Sequence, residues 1–372
     1  MFRPAIQRTE VLVGMAIFSL IVLYTVSNIR IQEKSVSYDV KIKAANRMEK
    51  ALIALKYERM AKAIFIDDVN DPNETGLIGQ QNSYITTDEG DLDAKISVLD
   101  PNVAGMLVDM LLEANVKKGD TVAVSMTGSM PGANIALLCA IEEMELFPLL
   151  ISSVGASKWG ANYENFTWLD MESFLYQEGI ISHVSELVSI GGGSDIGRRL
   201  SPFGRQQIVE ATERNQRALI KSRSLGEAIE NRMDYYKSAQ SIPRYGAYIN
   251  VGGGAASLGN AAASHLIPPG LTTRVNFDKF PSNGTMVQFG KQGVPVIHIL
   301  NIKTLFQAYQ YPFAAVPTPP IGEGVFFSSR HYSLLATSIA LVTLLGMIIA
   351  IGVRSKRKIK HHLQQYEPEN YA

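Results

Sequence analysis

The sequence predicts an α/β fold, with a mixed or mostly parallel sheet built from Rossmann-like βαβ units and carried between two transmembrane helices. Two observations lead to this prediction. Residues 11–29 and 332–353 contain no Asp, Glu, Lys, Arg or His. Between them, short β-rich segments run repeatedly into glycine-bearing turns and then into helical patterns, which is the alternation that builds a parallel α/β sheet.

Each apolar stretch, residues 11–29 and residues 332–353, is long enough for a helix to cross the hydrocarbon core of a bilayer. Each could instead be a buried core helix, but core helices of soluble domains rarely stay uncharged over such a length. The first stretch could also be a cleaved signal peptide, yet no small-x-small cleavage site follows it. We therefore expect an uncleaved membrane anchor at each end, embedded in a lipid bilayer.

Basic residues beside the two spans predict the orientation, because Lys and Arg are retained on the cytoplasmic side. Five Lys and Arg residues follow the second span, which predicts that the basic tail, residues 354–372, is cytoplasmic. An even number of spans then places residues 1–10 on the same side. The segment between the spans is expected outside a cytoplasmic (inner) membrane.

Charge and cysteine content limit the function of the intervening segment. The whole chain has 35 basic and 35 acidic residues. Eight of the basic residues but only three of the acidic residues lie outside the intervening segment, at positions 1–30 or 354–372. The segment itself is therefore net acidic. This argues against nucleic-acid binding, which needs a basic face. A single cysteine, Cys139, cannot form an intrachain disulfide and is expected to be a buried apolar residue.

The intervening segment is predicted to begin with a helix and an irregular stretch. Residues 30–66 are predicted to form a juxtamembrane helix, because apolar side chains recur there mostly at intervals of three and four residues. Residues 67–93 hold turn signals instead of a regular pattern, and long irregular stretches of this kind are often functional. A helix over residues 101–112 then leads into the main α/β region.

A βαβ unit and further strand-to-helix junctions make up the predicted sheet. Its strands are Thr121–Met126, Phe147–Val154, Leu187–Ile190, Tyr248–Val251 and Val294–Leu300, with helices over 133–146 and 301–309. The extracytoplasmic α/β domain is assigned residues 67–311. A proline-rich linker over residues 312–331 is expected to be stiff and to lead into the second span.

Glycine-bearing turns that follow three of these strands are the candidate ligand site. Their backbone N–H groups can approach an anion, and the helix N-termini add partial positive charge. In an open parallel sheet such turns converge at the carboxyl ends of the strands, near a topological switch point. The predicted ligand-binding residues are Gly128, Ser129, Asn134, Gly191, Gly192, Gly193, Ser194, Arg198, Arg199, Gly252, Gly253, Gly254 and Ser257. The glycines could equally serve only tight turns and close packing. Neither triple-glycine turn completes G-x-G-x-x-G, so no nucleotide cofactor is expected.

Hydroxyl groups and one carboxylate in these turns are candidate catalytic groups. They are Ser125, Thr127, Ser129, Ser194 and Asp195. A serine nucleophile needs a base, but His183, His265 and His298 are too scattered in the sequence to nominate one, and no G-x-S-x-G turn occurs. The same residues could instead be helix caps and turn residues. The histidines have no metal-ligand spacing, so no metal site is expected.

Six unusual segments of the sequence resemble a known family. They are T-G-L-I-G at 75–79, I-T-T at 85–87, G-D-T-V-A-V at 119–124, G-S-M-P-G-A-N-I-A at 128–136, I-S-S-V-G-A-S-K-W-G-A-N at 151–162 and F-T-W-L-D-M-E at 166–172. With them, most of the chain resembles the accessory membrane protein of bacterial poly-γ-glutamate systems. The resemblance implies three partners: the poly-γ-glutamate synthetase, its small membrane partner and the polyanionic polymer that they make and export. It implies no established reaction and no catalytic residue.

Three functions remain open from the sequence. The first is a component of the synthesis and export system that binds or guides the polymer outside the membrane. The second is an enzyme that hydrolyses or transfers γ-glutamyl chains, and the third is a sugar- or nucleotide-handling α/β domain in envelope assembly. Because the segment is net acidic, recognition of a polyanion must be local, through Arg198, Arg199 and the glycine-rich amides.

Overall fold

The computed structural model describes residues 8–238, 244–260, 266–272 and 275–365. Its α-helices in these ranges are α1 Thr9–Asn28, α2 Tyr38–Ala61, α3 Leu92–Ser97, α4 Asn102–Glu113, α5 Pro131–Glu143, α6 Trp168–Gln177, α7 Pro202–Arg214, α8 Leu225–Ser238, α9 Ala255–Leu258, α10 Thr285–Lys291, α11 Ile302–Ala308 and α12 Leu334–Gln365. Its strands are β1 Arg30–Lys34, β2 Thr121–Thr127, β3 Phe147–Ser153, β4 Asn162–Tyr163, β5 Phe166–Thr167, β6 Leu187–Ser189, β7 Ala218–Leu219, β8 Ala247–Val251, β9 Gly270–Thr272, β10 Val296–Ile299 and β11 Ser328–Tyr332. The chain divides into a terminal unit, drawn from Met1–Lys34 and Ser328–Ala372, and a central unit, Ser35–Phe327.

In the terminal unit, α1 and α12 are apolar and long enough to cross a membrane, and no residue in the most apolar part of either helix is buried. A core helix would bury these side chains, so the alternative of two core helices is wrong. The prediction of two helices that could span a membrane is confirmed. Helix α12 continues past the predicted span to Gln365, because the basic stretch after Val353 contains neither proline nor glycine to stop it.

A two-stranded antiparallel ladder is also part of the terminal unit. Strand β1 pairs with β11, and Arg30 lies opposite Tyr332 at one end of the ladder. The prediction of a helix over residues 30–66 is therefore wrong at its start, since residues 30–34 form a strand and α2 begins only at Tyr38. The reason is that β11 supplies the backbone partners that a helical segment would find within itself.

The central unit is built on a seven-stranded sheet with the strand order β7-β6-β3-β2-β8-β10-β9. Neighbouring strands are parallel except for β9, which runs antiparallel to β10. The predicted α/β class with a mixed, mostly parallel sheet is confirmed. From β2 the chain first adds β3, β6 and β7 on one side and later adds β8, β9 and β10 on the other. The boundary between β2 and β8 is thus the topological switch point, where open α/β sheets commonly bind ligands.

Helices cover both faces of this sheet. Successive residues of β2 project to opposite faces: Val122 and Val124 join an apolar cluster with α2, α4 and α5, whereas Ala123 joins a second cluster with α8 and α10. Burial on both faces explains why apolar residues occupy successive positions of this strand instead of alternating with polar ones. Cys139 of α5 is a free thiol and fully buried, as predicted.

The stretch between α2 and α3 contains no helix or strand, as predicted for residues 67–93, although the last two of these residues already belong to α3. Buried side chains hold it in place. The guanidinium of Arg59, in α2, donates to the carbonyl oxygens of Gly76 and Ile78 at 2.8 and 2.7 Å. Hydrogen bonds to a charged donor are among the stronger ones, so α2 anchors this loop firmly.

Candidate functional site

A cavity of about 610 Å³ opens at the carboxyl edge of the central sheet, at the switch point between β2 and β8. We call it the crevice. The loops that follow β2, β3, β6, β8 and β10 contribute to its wall, as does the loop that precedes α3. The three glycine-bearing turns that the sequence singles out therefore meet in one place.

Most of the predicted ligand-binding residues are part of this wall. Those that line the crevice are Ser129, Gly192, Gly193, Ser194, Arg198, Arg199, Gly252, Gly253 and Gly254. Those outside the lining are Gly128, Asn134, Gly191 and Ser257. Two of these four have side-chain hydrogen bonds: Asn134 is buried and donates to the carbonyl oxygen of Thr127 at 2.9 Å, and the Ser257 hydroxyl lies 2.8 Å from the hydroxyl of Tyr248. Their positions indicate roles in shaping the turns.

The candidate catalytic residues fall into two groups. Thr127, Ser129 and Ser194 line the crevice. Ser125 and Asp195 lie beneath it, with only 2% and 3% of their surface exposed. These last two are not presented to a ligand in the crevice.

A buried arginine organises the residues beneath the crevice. Arg232 of α8 pairs with Asp195 at 3.0 Å, and both side chains are 1% exposed. Its guanidinium also donates to the hydroxyl groups of Ser125, Ser153 and Ser189, at 3.3, 2.9 and 2.7 Å, which belong to β2, β3 and β6. Desolvation alone would lower the pKa of Arg232, but attraction to Asp195 and other neighbours outweighs it and raises that pKa. The network thus ties α8 to three adjacent strands at their carboxyl ends.

Charged side chains of both signs surround the crevice. Asp88, Glu89 and Asp91 come from the loop before α3, and Arg198 and Arg199 come from the loop after β6. Arg199 lies 3.8 Å from Asp88, but both side chains are largely exposed, so this ion pair is weak. We call these charged residues the rim of the crevice. The rim therefore offers both cationic and anionic partners to a ligand.

A buried lysine, Lys95 of α3, also lines the crevice, and no sequence pattern predicts it. Its side-chain nitrogen lies 2.9 Å from Ser157 Oγ and contacts the carbonyl oxygen of Ser129. No carboxylate in the described part of the chain forms an ion pair with it. Desolvation lowers the pKa of Lys95 to about 7, against a smaller opposing effect of Asp91. The partners of Lys95 are distant along the chain, so only folding brings this group together.

Three buried polar atoms near the ends of β2, β8 and β10 have no hydrogen-bond partner among the residues that the structure describes. They are Thr127 Oγ1, Asn250 Oδ1 and His298 Nε2. Buried polar atoms are normally satisfied. Thr127 also lines the crevice, so this unsatisfied hydroxyl belongs to a residue of the crevice wall.

The histidines do not supply a base to the crevice within the described ranges. Desolvation lowers the pKa of His298 to about 4, and its buried ring lies with Nδ1 3.0 Å from the side-chain nitrogen of Asn250 in β8. His183 lies 3.3 Å from Glu142, and His265 lies outside the described residues. Within those residues no group of three His, Cys, Asp or Glu side chains could hold a metal ion.

Comparison with known proteins finds no matching protein-family model, no matching curated protein and no matching solved structure. The chemistry of the crevice is therefore the basis for a functional interpretation.

Proposed function

We propose that this protein is a membrane-anchored component of a poly-γ-glutamate synthesis and export system, and that its crevice binds the polymer outside the membrane. The observation that carries this proposal is the meeting of three glycine-rich turns with Arg198 and Arg199 at the switch point. Backbone amides and guanidinium groups suit carboxylates, and poly-γ-glutamate has a carboxylate on every residue. The resemblance adds support, because segments 85–87, 128–136 and 151–162 all contribute residues to the crevice.

The mixed charge of the rim suits one part of the polymer in particular. A γ-linked chain has carboxylates along its length, and its amino end has an ammonium group beside a carboxylate. Asp88, Glu89 and Asp91 offer partners for the ammonium group, and the two arginines offer partners for the carboxylate. The amino end therefore matches the rim better than the middle of the chain, which would be repelled by the acidic side chains.

The two membrane-length helices support the proposed setting. Both chain ends of the central unit continue into the terminal unit, so the central unit is tethered twice. The basic residues in the last turns of α12 favour the cytoplasmic side for that end of the helix. The central unit then lies outside the inner membrane, where polymer emerges from the synthetase and its small membrane partner.

A specific contact favours a second candidate function, an enzyme that hydrolyses or transfers γ-glutamyl chains. It is the contact between Lys95 and Ser157, which places a buried amine beside a hydroxyl in the wall of the crevice. Binding and chemistry are compatible, since a γ-glutamyl chain must first be held before it is cut or transferred.

Binding of labelled poly-γ-glutamate to the full-length protein in lipid nanodiscs tests the first function. We expect the polymer to bind, and we expect Arg198→Ala/Arg199→Ala to weaken binding by about 10-fold or more, because charge-assisted hydrogen bonds are worth about 1.5–3 kcal/mol each. Affinity should also fall as salt is added, since exposed charges are screened.

The matched control is Lys221→Ala/Arg223→Ala, which removes two exposed basic side chains that do not line the crevice. It should bind the polymer as the parent protein does. The proposal fails if the parent protein does not bind, or if the two double variants lose affinity equally.

A further inference from the structure

We propose that Ser157 and Lys95 form a nucleophile and base pair, which makes the crevice an acyl-transfer site. The substrate class, an amide carbonyl of a γ-glutamyl chain, rests on the proposed function. The reactivity of the pair is independent of the proposed function, because it follows from the two side chains alone.

The two side chains have the geometry that such a pair requires. Lys95 Nζ lies 2.9 Å from Ser157 Oγ, within the distance over which a base takes a proton from a hydroxyl. Both residues line the crevice. Ser157 is 8% exposed and Lys95 is 2% exposed, so both residues are buried in the wall and Ser157 is the less buried of the two.

The surroundings of Lys95 favour a neutral amine, which a base must be. Burial lowers its pKa to about 7, so the uncharged amine is accessible near neutral pH. The charged side chains that share the cavity are Asp88, Glu89, Asp91, Arg198, Arg199 and Lys303. Of these, Asp91 opposes the downward shift. A lysine with a purely structural role is rarely buried without a carboxylate partner.

Ser129 contacts both members of the pair, Ser157 through its hydroxyl and Lys95 through its backbone carbonyl oxygen. The backbone N–H of Ser157 donates to Ser129 Oγ at 3.0 Å, and Lys95 donates to the carbonyl oxygen of Ser129. Ser129 thus links the backbone at Ser157 to the amine of Lys95. A hydroxyl that accepts one hydrogen bond still has its own proton to donate, and an oxyanion that develops in the crevice is a suitable acceptor.

The reaction balances with these groups and one co-substrate. Ser157 Oγ attacks the amide carbon and passes its proton to the neutral amine of Lys95 as the C–O bond forms. The C–N bond then breaks, and Lys95 gives that proton to the departing amine. Water, or the amino group of an acceptor, attacks the resulting ester, and its proton passes through Lys95 to Ser157 Oγ as the C–O bond breaks. Water gives hydrolysis, and an amine acceptor gives chain transfer.

Labelling with a fluorophosphonate, which phosphonylates activated serines, tests the pair without assuming a substrate. In the full-length protein in nanodiscs, we expect mass spectrometry to find label on Ser157, at a rate that rises with pH around 7. Ser157→Ala should take up no label at this position. Lys95→Met and Lys95→Arg should slow labelling by about 100-fold or more, the usual contribution of a general base.

Lys158→Met is the matched control, because Lys158 is adjacent in sequence but pairs with Glu89 at 2.8 Å. It should be labelled at the parent rate. The pair is overturned if Ser157 of the parent protein is not labelled, or if folded Lys95→Arg is labelled at the parent rate. If no Lys95 variant folds, a parent labelling rate that does not change from pH 5 to pH 9 overturns the role of Lys95.

Hydroxylamine tests the substrate class, because it intercepts an acyl ester as a hydroxamate. With poly-γ-glutamate we expect the parent protein to give a γ-glutamyl hydroxamate and shorter chains, and Ser157→Ala to give neither. Ser157→Ala should still bind the polymer. Binding by the parent protein without hydroxamate counts against acyl transfer, whereas absence of binding counts against the proposed function.

Discussion

Replacing Arg232 with alanine is expected to lower the free energy of unfolding of the central unit by about 3–5 kcal/mol. The change leaves Asp195 buried without its cation and removes donors to the serine hydroxyls around it. Both tryptophans of the chain, Trp159 and Trp168, lie in the central unit. Urea unfolding of the full chain in detergent, followed by tryptophan fluorescence, therefore reports this unit alone.

Arg223→Ala is the matched control, because Arg223 is exposed just before α8. Its unfolding free energy should stay within about 0.5 kcal/mol of the parent value. Replacing Asp195 and Arg232 together should cost less than the sum of the two single changes, since no unpaired charge then stays buried. Equal unfolding midpoints for Arg232→Ala and the parent protein would contradict this account of the network.

Replacing Glu172 with glutamine is expected to stabilise the central unit at pH 8 by up to about 3 kcal/mol. Glu172 is fully buried, and burial raises its pKa from 4.5 to about 7 against the opposing hydrogen bonds from Ser185. Because the pKa is higher in the folded state, the contribution of Glu172 to stability is complete below about pH 4.5 and is lost as the pH rises through about 7. Glutamine resembles the protonated acid and stays neutral, so it should remove this loss.

Urea unfolding at several pH values from 5 to 8 measures this effect. The stability of the parent protein should fall more steeply over this range than that of Glu172→Gln. Glu178→Gln is the control, because Glu178 is exposed just after α6, and its curve should follow the parent curve. Parallel curves for Glu172→Gln and the parent protein would be incompatible with a protonated Glu172 in the core.

The strands of the sheet could be predicted where both of their faces are buried. Strands β2, β3 and β8 give apolar runs whose predicted bounds differ from the observed ones by one residue. Strands β7 and β9 have two and three residues, and no triple-glycine turn follows them as one follows the three-residue strand β6. The helix expected directly after the glycines at 191–193 begins only at Pro202, as α7, although its start has a signal: Ser201 accepts from the Gly204 N–H, and Pro202 is the first helical residue.

The glycine-rich turns of the site could be predicted because strand, turn and helix are adjacent in the sequence. The contacts of Lys95 and Arg232 could not. Lys95 meets Ser157 across 62 residues, and Arg232 meets Ser125 across 107. These contacts depend on the order of strands in the sheet, which no local pattern specifies. Asp195 is a catalytic candidate by sequence because its carboxylate follows a glycine-rich turn. The fold instead pairs it with Arg232 beneath the crevice, which the sequence could not predict either.

Polymer binding by Gly253→Trp tests most directly whether the crevice is the binding site. Gly253 lines the crevice, and a Cβ there would meet no atom within 4 Å, so a large side chain fits the fold but occupies the space of the ligand. The control is Gly226→Trp at the exposed start of α8, where a Cβ meets only Ser224 Oγ at 3.9 Å. We predict that Gly253→Trp loses about 10-fold or more in affinity for poly-γ-glutamate, which corresponds to about 1.4 kcal/mol, and that Gly226→Trp loses none. Equal affinity of the two variants would contradict the assignment of the crevice as the polymer site.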